Sequence, residues 1–545
     1  MGKYLNSKLP YESYKSVTAG RYFVDKSRLL DELIPAIGLE ERFFCITRPR
    51  RFGKSVMANM VGAFFGCAMD ARETFDRLDI ADHENYQTHL NKHRVIYIDF
   101  SKIPRGCTDY AKYIDRIQDG LNADLTAAYP DCQITMEDAV WDNLEMIFEK
   151  KMHKFIFVID EWDAPFHLSF ITEKNKEDYL LFLKSLLKGQ AYAELVYMTG
   201  VLPIAKYSSG SELNVFLEFD MANTERFSAY FGFLDSEVAQ LYAKYVRAAK
   251  QSGTDIKVTQ EDLGKWYDGY YTAAGQKMYN PRSVVYALTN NQLKNYWTSS
   301  GPYDEIFYYI KHNTAEIRDD LVWMISGEGI ETRMLEYAAT ASELNTKDQI
   351  YSAMVIYGLL TYERESRKVF IPNKELMAQF DELLLSNENL GYINRLAKAS
   401  TAMLKATLAG DTQTMAEILK YAHDTESPIF SYNSEIELSA VVNLVYLSAR
   451  DKYHIEREDK AGEGYVDFIF YPQQQGADGI ILELKTDASP NDAIQQIKNK
   501  NYVLRFQGKL GEKPKYTGRI LSAGISYSRK TKEHFCKVEI LQSIK

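Results

Sequence analysis

The sequence predicts an α/β chain of about three domains: a parallel sheet in residues 1–300, a mostly helical region in 301–425 and a smaller α/β domain in 426–545. Three observations lead to this prediction. A chain of 545 residues is too long for one hydrophobic core. The first 300 residues alternate short β-branched or aromatic runs with helical patterns. The last block returns to strands after a long helical stretch.

Four short runs mark the strands of the first domain. They are residues 42–47, 95–100, 155–160 and 195–199, and most of them are almost continuously apolar. Strands of this kind are buried on both faces, as they are in parallel sheets covered by helices.

Composition and charge indicate a soluble globular protein and argue against several other classes of protein. The hydrophobic content of 46% and charged content of 26% are ordinary for soluble globular proteins. A net charge of −10 argues against a positively coated nucleic-acid binder but is compatible with a local basic groove. The five cysteines are scattered without a CxxC pair, and the nine histidines lack paired ligand spacing, so neither disulfides nor zinc are expected. The polar N-terminus and the lack of long apolar runs predict a cytoplasmic protein without a membrane partner.

A phosphate-binding loop is predicted where the first strand runs into RPRRFGKS, residues 48–55, and a helix follows. Gly53, Lys54 and Ser55 form the second half of G-x-x-x-x-G-K-[ST]. In this motif glycine lets the backbone approach the phosphates, lysine contacts the β- and γ-phosphate oxygens, and serine ligates Mg²⁺. Arg48 stands where the motif has its first glycine, so the match is partial. We predict a P-loop NTPase fold that binds ATP.

The run FIFVIDE, residues 155–161, has the pattern of a Walker-B strand. Asp160 is predicted to hold Mg²⁺, and Glu161 to orient or deprotonate the attacking water. The alternative is a buried strand that ends in a solvated acidic turn. At the end of the next strand, Thr199 is a candidate sensor of the γ-phosphate and Asn214 is a second, although either side chain could instead cap a loop.

The last domain carries two carboxylates and a lysine in a pattern typical of metal-dependent phosphodiester cleavage. Asp467 lies in YVDFIFY, and Glu483 and Lys485 lie two apart in IILELK, so the last two share one face of a strand. Asp467 and Glu483 would ligate Mg²⁺ or Mn²⁺, while Lys485 would position or help deprotonate the attacking water. The alternative is a solvated Glu/Lys pair on an exposed strand.

The elements around this constellation predict a restriction-endonuclease-like α/β fold. Strands are expected at 454–457, 465–471, 479–485, 519–527 and 537–541, with helices at 435–449 and 492–506. The first of these helices offers Glu435 or Glu437 as a further carboxylate, and the second offers Gln496 and Lys500, with Tyr502 just beyond.

Several motifs occur together in one order: RPRRFGKS, VIDEWDAPF, MTGVLPIAKYSSGSELN, YFGFLDSEV, KWYDGY and MYNPRS, then GYVDFIFY and IILELKT. In this order they resemble the AAA-ATPase-like family of bacterial proteins that carry a C-terminal PD-(D/E)xK nuclease-like domain. The resemblance covers essentially the whole chain, and arginine in place of the first glycine is typical of that family. It implies an ATP-binding loop (Arg50, Arg51, Phe52, Gly53, Lys54 and Ser55) with Asp160 and Glu161 as the Walker-B pair. Members often have arginine two residues before the aspartate, where this chain has Tyr465, which puts cleavage in doubt.

Basic residues flank the predicted metal site. Residues 485–532 contain eleven Lys or Arg and three Asp or Glu, against the acidic excess of the whole chain. A polyanion would lie there, so we expect contacts to a nucleic-acid backbone, DNA above all, with little sequence specificity. A solvated surface is the alternative reading of such a charge run.

In the middle region, residues 348–360 predict a helix, and TYERESRKVFIPN, which follows, predicts a hairpin with a charged tip. Helix and hairpin together resemble a winged helix. The segment would then either read DNA or form a small lid packed on the ATPase.

The leading hypothesis is an ATPase coupled to a Mg²⁺-dependent nuclease, in which ATP gates access to the cleavage site. The main alternative is a nucleotide-dependent switch or scaffold whose nuclease-like domain binds without cutting, and a weaker one is nucleotide binding without hydrolysis. A homo-oligomer is compatible with all three hypotheses, with Arg226 and Arg282 as candidate arginine fingers. Trp162 would either stack on adenine or pack against the next strand, and packing is favoured.

Overall fold

The computed structural model describes residues 2–204, 213–297, 314–335, 344, 346–423, 434–461, 464–474, 476–506 and 518–542. These residues form two compact units. The first is made from the described residues of Met1–Ile306 and Glu331–Leu376, and the second from those of Phe307–Ile330 and Met377–Lys545.

The first unit is built on a parallel sheet of five strands. The strands are β1 (Phe43–Thr47), β2 (Val95–Asp99), β3 (Phe155–Asp160), β4 (Ala193–Gly200) and β5 (Leu217–Phe219), in the order β2-β3-β4-β1-β5. Every neighbouring pair is parallel. All residues of β1 and β3 are buried, as their continuous apolar sequences predict. The four predicted strands are confirmed, and β5 is an addition.

Helices surround this sheet, and several begin at side chains that cap their first N–H groups. They are α1 (Leu9–Thr18), α2 (Leu29–Leu33), α3 (Lys54–Phe65), α4 (Arg72–Phe75), α5 (Tyr86–His89), α6 (Tyr110–Ala128), α7 (Val140–Lys151), α8 (Glu173–Leu187), α9 (Asp235–Ser252), α10 (Gln260–Tyr267) and α11 (Pro281–Asn290). Asp109 caps α6, a Thr172–Asn175 capping box starts α8, and Asn280 followed by proline starts α11. A two-stranded pair, β6 (Tyr270–Tyr271) and β7 (Lys277–Met278), precedes α11.

The middle third is mostly helical, as predicted. Its elements are α12 (Thr314–Ile325), β8 (Ile330–Glu331), α13 (Lys347–Tyr357), β9 (Thr361–Glu363), β10 (Lys368–Phe370), α14 (Lys374–Ser386), α15 (Tyr392–Ala409) and α16 (Thr412–His423). The predicted helix and hairpin correspond to α13, β9 and β10, which belong to the first unit. Helix α14 begins in the first unit and continues into the second.

The helix and hairpin pack against the phosphate-loop domain. Gly358 ends α13 with a φ of +81°, and a Cβ added there would lie 2.7 Å from Cβ of Pro49. The hydroxyl of Tyr270 donates to the carbonyl oxygen of Gly358 at 3.3 Å, and the N–H of Tyr271 donates to Oγ1 of Thr361 at 2.7 Å. The helix and hairpin thus pack on the domain that holds the predicted phosphate loop, as the lid alternative requires.

The second unit contains a mixed sheet. Its elements in chain order are α17 (Glu435–Val445), β11 (Tyr453–Ala461), β12 (Gly464–Pro472), β13 (Gly479–Thr486), α18 (Pro490–Asn499), β14 (Ile520–Ser528) and β15 (Glu533–Gln542). The strands lie in the order β11-β12-β13-β14-β15, and only β13 and β14 are parallel, joined through α18. The predicted α/β fold with its P-loop sheet, helical middle and C-terminal sheet is confirmed.

One predicted helix is shorter than expected. The pattern over 492–506 predicts a single helix, but α18 ends at Asn499 and residues Tyr502–Phe506 form a separate 3₁₀ turn. Asn501 between them has a φ of +52°, which an α-helix does not accommodate. Among the described residues, no helix is long and apolar enough to cross a membrane.

The contact between Gly358 and Pro49 predicts a difference between two helix-capping glycines. Gly253 ends α9 with a φ of +67° and has open space around it. Gly253→Ala should therefore cost only the left-handed backbone, about 1 kcal/mol. Gly358→Ala adds overlap with a proline ring and should cost about 2–4 kcal/mol. Denaturant unfolding of both variants measures this, and equal losses would contradict tight packing of α13 on the loop.

Candidate functional site

The phosphate loop joins β1 to α3 through two residues with positive φ. Arg51 has a φ of +71° and Gly53 a φ of +90°. Gly53 is the residue before the first turn of α3, where the first N–H groups of a helix have no intrahelical acceptor. Glycine at this position avoids the steric cost of a Cβ in the left-handed region. Free N–H groups at a helix start are the feature that an anion-binding loop requires.

Lys54 is buried inside this loop, with 4% of its surface exposed. Its Nζ donates to the carbonyl oxygens of Arg48 at 3.0 Å and Pro49 at 3.1 Å. The ammonium is thus held by weak, neutral acceptors of the loop itself. Phosphate oxygens would be stronger acceptors for the same donors.

Asp160, Thr199 and Ser55 meet at the carboxyl edge of the sheet. The strand order places β4 between β1 and β3, and the hydroxyl of Thr199 donates to Oδ1 of Asp160 at 2.6 Å. The Ser55 side chain also hydrogen-bonds to the Asp160 carboxylate. Burial raises the pKa of Asp160, and these hydrogen bonds act in the opposite direction. A hydroxyl beside a buried carboxylate is a donor set that fits Mg²⁺.

Glu161 follows β3 with a φ of +53°, which turns its side chain away from the strand direction. Burial raises the pKa of Glu161, the charges of Lys54 and Arg50 lower it, and those of Asp163 and Asp160 raise it further. The carboxylate therefore shares an electrostatic environment with the cations of the loop. This is the position predicted for the residue that orients the attacking water.

The second aspartate of DEWD, residues 160–163, has a structural role that the sequence did not suggest. Asp163 is 1% exposed, and its Oδ2 accepts the N–H groups of Val201 at 3.0 Å and Leu202 at 2.9 Å. Trp162 is fully buried, and its indole N–H donates to the carbonyl of Leu202 at 3.2 Å. A Cβ on Gly200 would lie 2.4 Å from the Trp162 ring. Trp162 therefore packs in the interior, as favoured, and is not placed to stack on adenine.

Arg48, the residue in the place of the first glycine, turns away from the phosphate side of the loop. It is 2% exposed, and its Nη1 donates to the carbonyl oxygens of Thr47 at 2.8 Å and Phe219 at 2.7 Å. Its guanidinium lies 5.1 Å from the ring centre of Phe231. Burial lowers the pKa of Arg48 to about 10. Arg48 thus ties the end of β1 to the end of β5, which explains how an arginine is accommodated here.

The remaining loop residues differ in placement. Phe52 is 1% exposed and packs edge-on against Tyr270 at 4.9 Å between ring centres, so any contact with ATP would come from its backbone. Arg51 donates from Nη1 to the carbonyl oxygen of Tyr296. Arg50 is partly exposed, and its charge reaches Glu161.

The secondary candidates have partners elsewhere in the first unit. Asn214 is exposed and accepts a hydrogen bond from Lys188 at 2.6 Å. Arg226 pairs with Glu32 at 3.0 Å and lies over aromatic rings at the β5 side of the sheet. Arg282 lies over the ring of Tyr286 at 5.1 Å.

In the second unit, Asp467, Glu483 and Lys485 come together on β12 and β13. The register pairs Phe468 with Leu482, which makes Asp467 and Glu483 neighbours across the two strands. Oε1 of Glu483 accepts from Nζ of Lys485 at 3.2 Å, and Oδ2 of Asp467 accepts the N–H of Leu484 at 2.7 Å. The predicted constellation is therefore assembled at one place.

Glu483 is 2% exposed, and its Oε2 is buried without a hydrogen-bond partner among the described residues. Burial and, after it, the neighbouring Asp467 carboxylate raise the pKa of Glu483 to about 7, although Lys485 acts to lower it. A buried oxygen with no donor beside a second carboxylate fits a divalent cation. No group of three or more His, Cys, Asp or Glu within the described ranges is arranged to hold a metal, so the site offers two carboxylates.

Two residues from α18 and beyond extend this site. Gln496 donates from Nε2 to Oε1 of Glu483, and Tyr502, which is fully buried, hydrogen-bonds to Gln496. Lys500 lies at the end of α18, and its N–H donates to the carbonyl of Gln496.

The other carboxylates proposed for this site lie at the start of α17, where Glu435 is exposed and Glu437 is partly exposed. Tyr465 pairs with Lys460 in the β11–β12 ladder, and its side chain lies outside the described residues.

The basic run around the site is partly neutralised. Arg519 pairs with Asp478 at 2.6 Å, Arg529 pairs with Asp487 at 2.5 Å, and Lys498 pairs with Glu539. Residues 507–517, which hold three of the lysines counted in the run, lie outside the described residues. The described part therefore presents less free positive charge than the sequence count implies.

Two family models match this chain, one in its N-terminal part and one in its C-terminal part. Residues 11–209 match the family model described as "Predicted AAA-ATPase", and residues 439–531 match that of the "PD-(D/E)XK nuclease superfamily". The resemblance drawn from the motifs is confirmed for these two stretches. A protein of Azotobacter chroococcum mcd 1 described as "Uncharacterized protein in vnfD 5'region" is 22% identical over 510 residues, 90% of each chain. The solved ORC2 protein of Aeropyrum pernix (ADPNP-ADP complexes) is 10% identical; the match covers 70% of this chain and 95% of that one. Its TM-score of 0.27 is too low to carry an argument.

The two hydrogen bonds of Arg48 predict a structural role for this arginine. Arg48→Met would leave the carbonyls of Thr47 and Phe219 without their donor and should cost about 2 kcal/mol of unfolding free energy. Arg50→Met, two residues away and partly exposed, should change it by about 0.5 kcal/mol or less. Denaturant unfolding without nucleotide measures both. Equal stability of the two variants would contradict the role assigned to Arg48.

Proposed function

We propose that this chain, which joins a predicted AAA-ATPase domain to a domain of the PD-(D/E)XK nuclease superfamily, hydrolyses ATP and cleaves nucleic-acid phosphodiesters. One observation carries the proposal: each unit has a lysine close to a buried carboxylate. Lys54 lies near Asp160 in the first unit, and Lys485 lies beside Glu483 in the second. Isolated buried carboxylates are costly, so such clusters are a mark of functional sites.

In the first unit, Lys54 would exchange the loop carbonyls for the β- and γ-phosphate oxygens of ATP. Ser55 and Asp160 would hold Mg²⁺, which when bound would neutralise charge on those oxygens. Thr199 would keep the Asp160 carboxylate in place through its 2.6 Å hydrogen bond. Glu161 would orient the attacking water and accept its proton.

In the second unit, Asp467 and Glu483 would hold Mg²⁺ or Mn²⁺, which would polarise a phosphoryl oxygen and acidify a bound water. Lys485 would position that water or offset charge on the phosphate. Gln496 would keep the Glu483 carboxylate oriented through its hydrogen bond. The substrate would be a nucleic acid, DNA in the first instance, held through its backbone.

ATP binding would set the conformation of the first unit and of the helical region, and so gate access to the cleavage site. A switch or scaffold that binds without cutting is the second candidate function, and Tyr465 in the place of arginine favours it.

The loop geometry predicts separate effects on ATP binding and hydrolysis. Lys54→Ala removes the charged donor and should weaken ATP binding about 10- to 100-fold. Glu161→Gln should leave binding within a few-fold but slow phosphate release at least about 100-fold. Lys15→Ala, at an exposed lysine that pairs with Glu73, is the control. Isothermal titration and a phosphate-release assay with Mg²⁺ measure these effects. Full ATP binding by the Lys54 variant would contradict the proposed ATP site. Unaltered hydrolysis in the Glu161 variant would contradict the proposal that Glu161 orients the attacking water.

The nuclease site predicts metal-dependent cleavage that is lost in two variants. Supercoiled plasmid, single-stranded DNA and RNA are incubated with Mg²⁺ or Mn²⁺, with and without ATP. Asp467→Ala should abolish cleavage, and Lys485→Ala should reduce it at least about 100-fold. Lys452→Ala, at an exposed lysine of the same unit outside residues 485–532, serves as control. Because burial raises the pKa of Glu483 to about 7 without metal, protons compete with the metal for this carboxylate, and at limiting Mg²⁺ activity should rise with pH as the proton is lost. DNA binding without cleavage, unaffected by Lys485→Ala, would favour the switch instead.

A further inference from the structure

Glu375 is a fully buried carboxylate that lies outside both sites described above. It stands in the first turn of α14, and its two oxygens accept from the hydroxyl of Ser283 at 2.9 and 2.8 Å. Its Oε1 also accepts the N–H groups of Tyr296 at 2.6 Å and Trp297 at 2.9 Å. Three donors, which make four contacts with one buried carboxylate, hold α14, α11 and the segment 295–297 in a fixed relation.

The phosphate loop reaches the same point through Arg51. Nη1 of Arg51 donates to the carbonyl oxygen of Tyr296, while the N–H of Tyr296 donates to Glu375. Tyr296 is thus held through its N–H by the carboxylate and through its carbonyl by the arginine. The Arg51 charge also acts directly on the carboxylate: burial raises the pKa of Glu375 to about 7, and its hydrogen bonds and Arg51 lower it. The two charged groups stabilise each other across one residue.

Arg51 has a φ of +71° and lies three residues before Lys54. Its guanidinium is a charged, bidentate donor, and a neutral carbonyl is a weaker acceptor for it than a phosphate oxygen. An anion bound in the loop would therefore compete with Tyr296 for Arg51. Any shift of Arg51 changes the electrostatic support of Glu375.

We propose that Glu375 is a positioning residue for Arg51, and that the Arg51–Tyr296–Glu375 contact links occupation of the phosphate loop to the first turn of α14. The link to nucleotide rests on the proposed ATP binding. Because α14 begins in the first unit and continues into the second, it is a chain segment through which such a change would leave the first unit. Glu375 contacts no reacting group in this arrangement and acts through Arg51.

Hydrogen–deuterium exchange on the full chain tests the contact without any ligand. Arg51→Met should speed exchange at the amides of Tyr296 and Trp297 and at residues 376–380 by about 10-fold or more, since local opening follows loss of supporting contacts. Glu375→Gln should speed exchange at the same amides, and the double variant should add little. Arg50→Met is the matched control, because the Arg50 charge acts on Glu161, and exchange at these amides should stay unchanged. If Glu375→Gln fails to fold, Ser283→Ala removes one donor and keeps the charge.

A second arm adds Mg·ATP to protein carrying Glu161→Gln, so that the nucleotide persists. Exchange should change at 296–297 and 376–380, and Glu375→Gln should abolish the response at 376–380 while ATP affinity falls by about 10-fold or less. Unchanged exchange in Arg51→Met would overturn the Arg51–Glu375 contact. ATP binding with no response at 376–380 would overturn the link to α14. Absence of ATP binding to the unmodified chain would overturn the proposed function, while the ligand-free arm still decides on the contact.

Discussion

Burial of Asp160 at the carboxyl edge of the parallel sheet is the constraint to which the strand order and the phosphate loop of the first unit are tied. A carboxylate with 3% exposure needs hydrogen-bond donors from its surroundings, and Thr199 and Ser55 supply them. Thr199 reaches Asp160 because β4 lies between β1 and β3, and Ser55 reaches it because α3 starts directly behind β1. The strand order, the phosphate loop and the helix start are thus all tied to one buried negative charge. Under the proposed function, the same charge would hold a cation, and that cation would in turn meet the polyphosphate.

The second unit also buries a carboxylate, but in a mixed sheet. Glu483 is buried beside Asp467, and the two carboxylates repel, which raises the pKa of Glu483 further than burial alone. Lys485 and Gln496 satisfy one oxygen, and the other has no partner among the described residues. Both units therefore keep negative charge in a low-dielectric setting and place a lysine next to it. Under the proposed function, both sheets would use this arrangement because phosphate chemistry needs a cation held close to phosphoryl oxygens.

The three arginine side chains of the phosphate loop lie in three different environments. Arg48 turns into the core and ties β1 to β5, Arg51 reaches the peptide of Tyr296, and Arg50 remains partly exposed near Glu161. The positive φ of Arg51 separates the directions of these neighbouring side chains. The loop thus combines a structural anchor, a contact to the rest of the first unit and a cation at the predicted catalytic edge. A run of arginines that looks uniformly phosphate-binding in sequence is divided among separate tasks.

Sequence patterns by themselves determined the four main strands. They also identified two groups of residues that the structure brings together, Asp160 with Thr199 and Ser55, and Asp467 with Glu483 and Lys485. They could do so because continuous apolar runs and short motif spacings are local properties of the chain. The strand β5 was not predicted because three residues are too few to show a periodicity. The helix over 492–506 was predicted too long because the positive φ of Asn501 cannot be recognised from the sequence. Only the tertiary structure decided that Arg48 faces the core, that Asp163 holds the strand-end N–H groups, and that Glu375 meets the segment beside Arg51. Each of these depends on a partner far away in the chain, as Arg48 depends on Phe219, 171 residues on. Local sequence holds no information about which distant carbonyl or carboxylate will be buried next to a charged side chain. That distant partner decides whether the charged side chain stabilises the fold or is available to bind a ligand.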